Sequence, residues 1–167
     1  MSRIVLIGPP GAGKSTVGRA LSEHLAMSFL DTDAIIEEKS GKTITDIFVV
    51  EGEPAFRALE LETLSQVLKV DNAVVSLGGG APVSELAQIA IGDSGSHVVF
   101  LDVSLATAAP RVGFNRDRPL LLGNPRAQWQ SLSDKRRPIY EKLADLTIKV
   151  DEMQVTEIVE QIAKGAL

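Results

Sequence analysis

The stretch Gly8-Pro9-Pro10-Gly11-Ala12-Gly13-Lys14-Ser15-Thr16 matches G-x-x-x-x-G-K-[ST] at every position. It also stands in the context that motif requires. Ile4–Ile7 before it is all apolar, as expected for a strand buried on both faces of a parallel sheet. After it, Val17, Ala20, Leu21 and Leu25 recur at helical spacing within Lys14–Met27. Each piece has a physical task. Gly8, Gly11 and Gly13 let the backbone curl so that successive N–H groups face phosphate oxygens, and Ala12 and Thr16 complete the loop. The helix N-terminus adds unsatisfied donors and partial positive charge. Lys14 is placed to reach the β- and γ-phosphates, and the Ser15 hydroxyl to take a position on Mg²⁺. A glycine-rich turn that merely contains Lys-Ser would not need the flanking strand and helix. The motif therefore predicts a nucleoside-triphosphate site on an α/β scaffold, without yet naming a reaction.

The rest of the chain repeats that alternation. Phe29-Leu30 reads as a second strand ending in Asp31, and Ala73–Leu77 as a third closed by Gly78-Gly79-Gly80. Val98–Leu101 is a fourth, closed by Asp102, and Leu146–Val150 a fifth. Helices are expected from Ala34 to Leu68, broken near Gly41 and Gly52-Glu53-Pro54, then over Ala127–Leu143 and Val155–Lys164. Strands alternating with helices imply βαβ units: a five-stranded parallel sheet flanked by helices. With 167 residues and no interdomain linker, one domain over 1–167 is expected. Pro110 should end or kink the helix that precedes it. Gly113 to Pro125 lacks periodicity, so a long, mobile functional loop is expected over about 113–124.

Composition removes several classes of function. Cysteine is absent and His24 and His97 are the two histidines, which excludes a disulfide framework and disfavours a thiolate or imidazole metal cluster. No apolar run approaches the ~20 residues of a membrane helix, and no leader pattern opens the chain, so a cytoplasmic protein is expected. The net charge of -5 argues against a nucleic-acid partner. That charge is unevenly placed. Between Arg111 and Arg137 seven basic residues (Arg111, Arg116, Arg118, Arg126, Lys135, Arg136, Arg137) face two acids, Asp117 and Asp134. An arginine-dense segment in an acidic chain is either a solvated loop or a local anion site, since guanidinium forks pair bidentately with phosphate and carboxylate.

The reaction must come from elsewhere. A guanine-reading N-K-x-D motif is missing, which disfavours a GTPase. A chain that carries its own arginines favours a small-molecule kinase, in which a loop closes over ATP and excludes water. Asp31-Thr32-Asp33 offers one carboxylate towards Mg²⁺ and one towards an acceptor hydroxyl; alternatively, one of them caps the helix expected from Ala34. Asp102 is a rival for the metal-side acid, or a cap for a helix near Ser104. Arg57, with Glu53 and Glu60 on its own helix, reads as an ion-pair ladder or as an anion ligand. The ordering entropy of Gly78-Gly79-Gly80 calls for a close approach by a ligand, or for a tight turn.

Taken in order, these pieces resemble the shikimate kinase family: the Gly11–Thr16 loop, Asp31-Thr32-Asp33, Phe56-Arg57, Leu77-Gly78-Gly79-Gly80-Ala81, Arg118-Pro119-Leu120-Leu121, and Arg136 before Pro138 and Tyr140. The resemblance implies a P-loop, nucleoside-monophosphate-kinase-like fold with a mobile lid. It implies ATP-dependent phosphorylation of the 3-hydroxyl of shikimate, on the route to chorismate and the aromatic amino acids. Since the two glycine- and arginine-lined sites can be built within one chain, a monomer is expected. It further implies that Asp33 orients the acceptor hydroxyl, that Arg57 and Arg136 clamp the carboxylate, and that Gly78, Gly79 and Gly80 line that pocket. The acceptor-binding helices would span about 34–62. Asp31 would support Mg²⁺ beside Ser15, through water. Lys14 and Arg118 would meet the transferring phosphate, and Arg111 would stack near the adenine. After Val150 the chain is short and lacks the arginine that often closes the adenine site in this family.

Two other readings stay open on sequence. One is a different P-loop kinase of the same fold, of gluconate or nucleotide type. The other is a non-catalytic ATP-switch module.

Overall fold

Residues 2–113 and 124–166 are described by a computed structural model. Their elements run β1 (Arg3–Ile7), α1 (Lys14–Leu25), β2 (Ser28–Asp31), α2 (Thr32–Ser40), α3 (Ile44–Glu51), α4 (Glu53–Val67) and β3 (Ala73–Ser76). The second half holds α5 (Glu85–Asp93), β4 (His97–Asp102), α6 (Leu105–Val112), α7 (Pro125–Leu143), β5 (Leu146–Lys149) and α8 (Val155–Ala166). The strands form one parallel sheet in the order β2-β3-β1-β4-β5.

The apolar run Ile4–Ile7 explains why β1 is central. Its side chains alternate across the sheet, Ile4 and Leu6 entering one core layer and Val5 and Ile7 the other. All four are at most 1% exposed, and burying each contributes about 1.5–3 kcal/mol. The first layer packs β1, β3 and β4 against α1 and α8, and the second packs them against α4, α5 and α7. A smaller cluster of Ile36, Ile47 and Phe56 ties α2, α3 and α4 together.

The connection from β1 runs to β2 on one side of the sheet, whereas β4 and β5 lie on the other. Such a reversal opens a crevice at the carboxyl ends of the strands, where α/β sheets take their ligands. Gly8, Asp31, the 78–80 glycines and Asp102 all sit at that edge.

Several boundaries differ from the sequence expectation. Helix α2 starts at Thr32 rather than Ala34, because Asp31 caps it. Helix α1 stops at Leu25, where Ala26 takes a left-handed conformation, and α7 starts at Pro125, which occupies its first turn. Helix α5 was not expected; Leu86 and Ile89 on it are exposed and blur its amphipathic pattern. Pro110 neither ends nor marks the limit of α6, which runs on through Arg111 and Val112 to Gly113. Of the expected loop at 113–124, residues 114–123 lie outside the described residues, and Arg118 with them. Among the described residues no helix is long and apolar enough to cross a membrane.

Candidate active site

The phosphate cradle takes its shape from backbone that only glycine adopts readily. Gly11 and Gly13 have φ of 85° and 92°. Helix α1 begins at Lys14 with no side chain capping its first turn, so its N-terminal donors stay available to an anion. Lys14 is buried, and its ammonium donates to the carbonyl oxygens of Gly8 at 2.6 Å and Pro9 at 3.0 Å. The loop is braced from outside as well. The indole N–H of Trp129 donates to the Pro10 carbonyl at 2.9 Å, and a Cβ on Gly11 would lie 2.9 Å from both Ala108 and Val112.

Asp31 serves two neighbours at once. Its Oδ1 accepts from the N–H groups of Asp33 and Ala34, capping α2, while its Oδ2 accepts from the Ser15 hydroxyl at 2.6 Å. The cap reading of the sequence therefore holds for Asp31, and the same carboxylate also faces Ser15. Ser15 and Asp31 together present hard oxygen donors of the kind Mg²⁺ prefers. Among the described residues no group of three or more His, Cys, Asp or Glu could hold a metal. Asp102 plays a different part: Arg137 grips it with bonds of 2.9 and 2.6 Å, and the cap of α6 is Ser104.

The three consecutive glycines are explained by crowding, not by left-handed backbone, since none of Gly78, Gly79 and Gly80 has positive φ. A Cβ on Gly78 would lie 2.8 Å from an Asp33 carboxylate oxygen. One on Gly79 would lie 3.1 Å from Pro10 and 3.3 Å from the Arg136 guanidinium, and one on Gly80 only 2.5 Å from that of Arg57. Each glycine thus admits one expected site side chain to the backbone. The turn reading also holds, because Ala81 N–H donates to the Gly78 carbonyl.

Arg57 is held by the ladder the sequence suggested, at 2.7 Å from Glu60 and 3.3 Å from Glu53. Glu60 is only 4% exposed, and burial pushes its carboxyl above the ordinary value, with Arg57 pulling the other way. The ladder reading holds, and the two acids keep the guanidinium against the glycine loop.

A cleft of about 530 Å³ joins these parts. Its walls include Gly11–Thr16, Asp31, Asp33, Gly78 and Gly79, and at the far end Arg111, Val150, Met153, Val155 and Ile158. Arg111 donates to the Gly11 carbonyl at 3.1 Å and so lies across the loop. Arg57, Gly80 and Arg136 stand just outside that wall, against the glycine loop.

Three contributors were not assigned a role from sequence. Thr32, fully buried, accepts from Gly78 N–H at 3.2 Å and donates to the Ser76 carbonyl at 3.4 Å, binding α2 to the glycine loop. The Tyr140 hydroxyl donates to the Gly79 carbonyl at 2.6 Å. Met153, Val155 and Ile158 supply an apolar wall where the sequence suggested only a missing arginine. Their signals were present in sequence but unspecific: a threonine between two aspartates, a lone Tyr, and an amphipathic last helix.

Comparison with known proteins agrees with this geometry. The shikimate kinase family model matches residues 10–166. A shikimate kinase of Thermobifida fusca is 53% identical over 160 residues, covering 96% of this chain and 92% of the relative. One of Rhodococcus jostii is 44% identical, covering 96% and 95%. Among solved structures, a shikimate kinase from Acinetobacter baumannii in complex with shikimate superposes with a TM-score of 0.93 at 34% identity, over 98% of this chain and 92% of the other. A Sinorhizobium meliloti gluconokinase, at 19% identity and a TM-score of 0.57, shares the fold alone. With a P-loop, a paired Ser15–Asp31 and an arginine-flanked glycine loop on one sheet edge, and with these relatives, the chain belongs to the shikimate kinase family.

Proposed function

We propose that this protein transfers the γ-phosphoryl group of ATP to the 3-hydroxyl of shikimate, giving shikimate 3-phosphate and ADP. The observation that carries the reading is the set of contacts at Gly78, Gly79 and Gly80, which gathers Asp33, Arg136 and Arg57 beside the phosphate loop. An acceptor with both a carboxylate and hydroxyls needs two guanidinium forks and one carboxylate, and that is the set on offer. A neutral sugar or a base would not require Arg57 and Arg136 together.

The roles follow from chemistry. Arg57 and Arg136 pair with the acceptor carboxylate, and Asp33 accepts from its reacting hydroxyl, orienting it and taking its proton. Lys14 leaves the loop carbonyls for the phosphate oxygens and balances the charge that develops on them. Ser15 and Asp31 would hold Mg²⁺, which when bound would offset the negative charge of the phosphates. Arg111 and the apolar wall from Val150 to Ile158 enclose the nucleotide base. We assign Arg118, by sequence resemblance alone, to the transferring phosphate, and place the protein in the cytoplasm as a monomer.

The test is ADP release by purified protein with Mg·ATP, with shikimate, gluconate or a nucleoside monophosphate as acceptor. Release that depends on shikimate alone is expected. Turnover with another acceptor would overturn the substrate while keeping the kinase, and folded, ATP-binding protein with no acceptor-dependent release would leave a nucleotide switch.

A further inference from the structure

Helix α7 carries two buried aromatic side chains whose polar tips end on the two loops that must meet for transfer. Trp129, 2% exposed, donates its indole N–H to the Pro10 carbonyl in the phosphate loop. Tyr140, fully buried, donates its hydroxyl to the Gly79 carbonyl in the acceptor loop. The two residues are 11 apart, close to three helical turns, so they leave α7 from one face about 16 Å apart along its axis. Between them Arg137 grips Asp102 at the end of β4 with two bonds, and its guanidinium lies 5.5 Å from the Phe100 ring. Phe100 in turn packs on Tyr140 at 5.0 Å between ring centroids. The helix is thus fastened to the sheet between its two contacts with the loops.

The loops themselves nearly touch. A Cβ on Gly79 would stand 3.1 Å from Pro10 Cδ and 3.5 Å from the Gly8 carbonyl oxygen. Two irregular segments with few side-chain anchors of their own meet at that point. Their relative placement decides how far an acceptor hydroxyl lies from the γ-phosphate.

We propose that Trp129 and Tyr140 are a coupled pair of positioning residues that fix the phosphate loop against the acceptor loop through α7. Neither touches substrate. Reacting atoms must approach to about 3–3.5 Å, and a displacement near 1 Å can lower the rate by about 10²-fold. Tyr140 also has a consequence for the next peptide. Because the peptide unit is planar and trans, turning the Gly79 carbonyl towards Tyr140 turns the Gly80 N–H the opposite way. The inference rests on the phosphotransfer reading above, and deepens it by naming what holds its two halves in register.

The experiment compares wild type with Tyr140→Phe, which removes only a hydroxyl, with Trp129→Phe, and with the double variant. Each single variant is expected to lower kcat about ten-fold while both KM values stay within about three-fold. The double variant should fall little further than the worse single one, because either loss already frees the same relative motion. Hydrogen exchange on the unliganded proteins supplies a readout that needs no substrate. Tyr140→Phe should speed exchange about three- to ten-fold at the Gly11–Gly13 amides as well as at Gly80 and Ala81, and Trp129→Phe should speed it at Gly80 and Ala81.

An unchanged kcat would overturn the proposal. So would a loss confined to the KM for shikimate, which would make Tyr140 a prop for Arg136 alone. A full hundred-fold loss in the double variant, or exchange that rises only beside the mutated side chain, would show two independent contacts and no coupling. If wild type itself lacks shikimate-dependent turnover, the proposed function fails, and the exchange pattern alone still decides the coupling.

Discussion

Asp31 accepts the Ser15 hydroxyl at 2.6 Å with one carboxylate oxygen and caps α2 with the other. One side chain thereby joins the first helix of the phosphate loop to the first helix of the acceptor side. The two duties can be separated, since Asn caps a helix about as well as Asp but carries no charge. Asp31→Asn is expected to keep its melting temperature within a few degrees, to lower kcat about 100-fold, and to need more Mg²⁺ for half-maximal rate. Magnesium titrations of kcat beside a thermal melt would check it. An unaltered magnesium requirement would remove Asp31 from the metal site.

Asp102 makes the opposite prediction. Its two bonds to Arg137 occupy the carboxylate, and no wall of the cleft includes it. Asp102→Asn should leave the magnesium dependence of kcat unchanged and lower stability by about 1 kcal/mol, a modest figure because the Arg137 side chain is 38% exposed. Chemical denaturation and the same magnesium titration separate the two acids.

The contrast between these aspartates shows what sequence could and could not convey. Both follow a strand and both precede a helix, and the sequence pattern ranks Asp31 higher only because Asp33 stands beside it. What decides the matter is Arg137, 35 residues from Asp102, and such a pairing leaves no periodic trace. The central strand, phosphate loop and α1 were legible because motif and amphipathic spacing are local. The proposed site side chains Asp33, Arg57 and Arg136 and the 78–80 glycines come from resemblance, which did not carry the reason for the glycines: crowding by those same side chains. Thr32, Tyr140 and Trp129 act across 46, 61 and 119 residues, distances at which only the folded chain shows who meets whom. Helix α6 passes through Pro110, which lies beyond its first turn and so forgoes the bond that a backbone N–H there would donate to the Ala106 carbonyl; nothing in the sequence signals that the helix continues.

Tyr140 carries a pH signature. Burial pushes its hydroxyl up from 10.0 to about 12, so the folded protein holds the phenol neutral where the unfolded chain would ionise. Its contribution is complete below pH 10 and is lost as pH climbs towards about 12. Over that window wild type should lose roughly 2–3 kcal/mol of stability relative to Tyr140→Phe. Denaturant midpoints for both proteins between pH 9 and 12 measure the difference; parallel curves would mean the phenol is not buried in solution.

Arg57 joins binding to stability through Glu60. Arg57→Ala removes one fork of the proposed acceptor clamp and leaves Glu60, 4% exposed, without its main cationic partner. The KM for shikimate should rise about 30- to 100-fold with ATP binding spared, and the same is expected of Arg136→Ala. Arg57→Ala should also raise the already elevated Glu60 carboxyl further, and more than Arg136→Ala, because the Arg57 charge and hydrogen bond act on it more strongly than the Arg136 charge. In wild type the raised carboxyl means stability falls as pH rises above the ordinary 4.5, and that decline should steepen in the variant. Melts from pH 4 to 7 on both arginine variants test it; equal slopes would show that Glu60 does not depend on Arg57.

Two glycine substitutions should fail in different ways, because their neighbours differ in stiffness. A Cβ at Gly80 would meet the Arg57 guanidinium at 2.5 Å, and a guanidinium is the far end of a flexible chain. Gly80→Ala should therefore fold normally and raise the KM for shikimate, since Arg57 must swing out of the acceptor loop. A Cβ at Gly18 would meet the Phe29 ring at 2.5 Å, in the packing between α1 and β2. That ring is half-buried and rigid, packed against the first core layer with Arg19 5.3 Å from its centroid. Gly18→Ala gains helix propensity of about 1 kcal/mol, yet overpacking of this kind costs typically 1–3 kcal/mol, so the net effect should be a lower melting temperature with KM for shikimate unchanged. Should Gly80→Ala lower the melting temperature and spare the KM, the glycine loop would be a structural turn, and Arg57 would have no part in holding the acceptor.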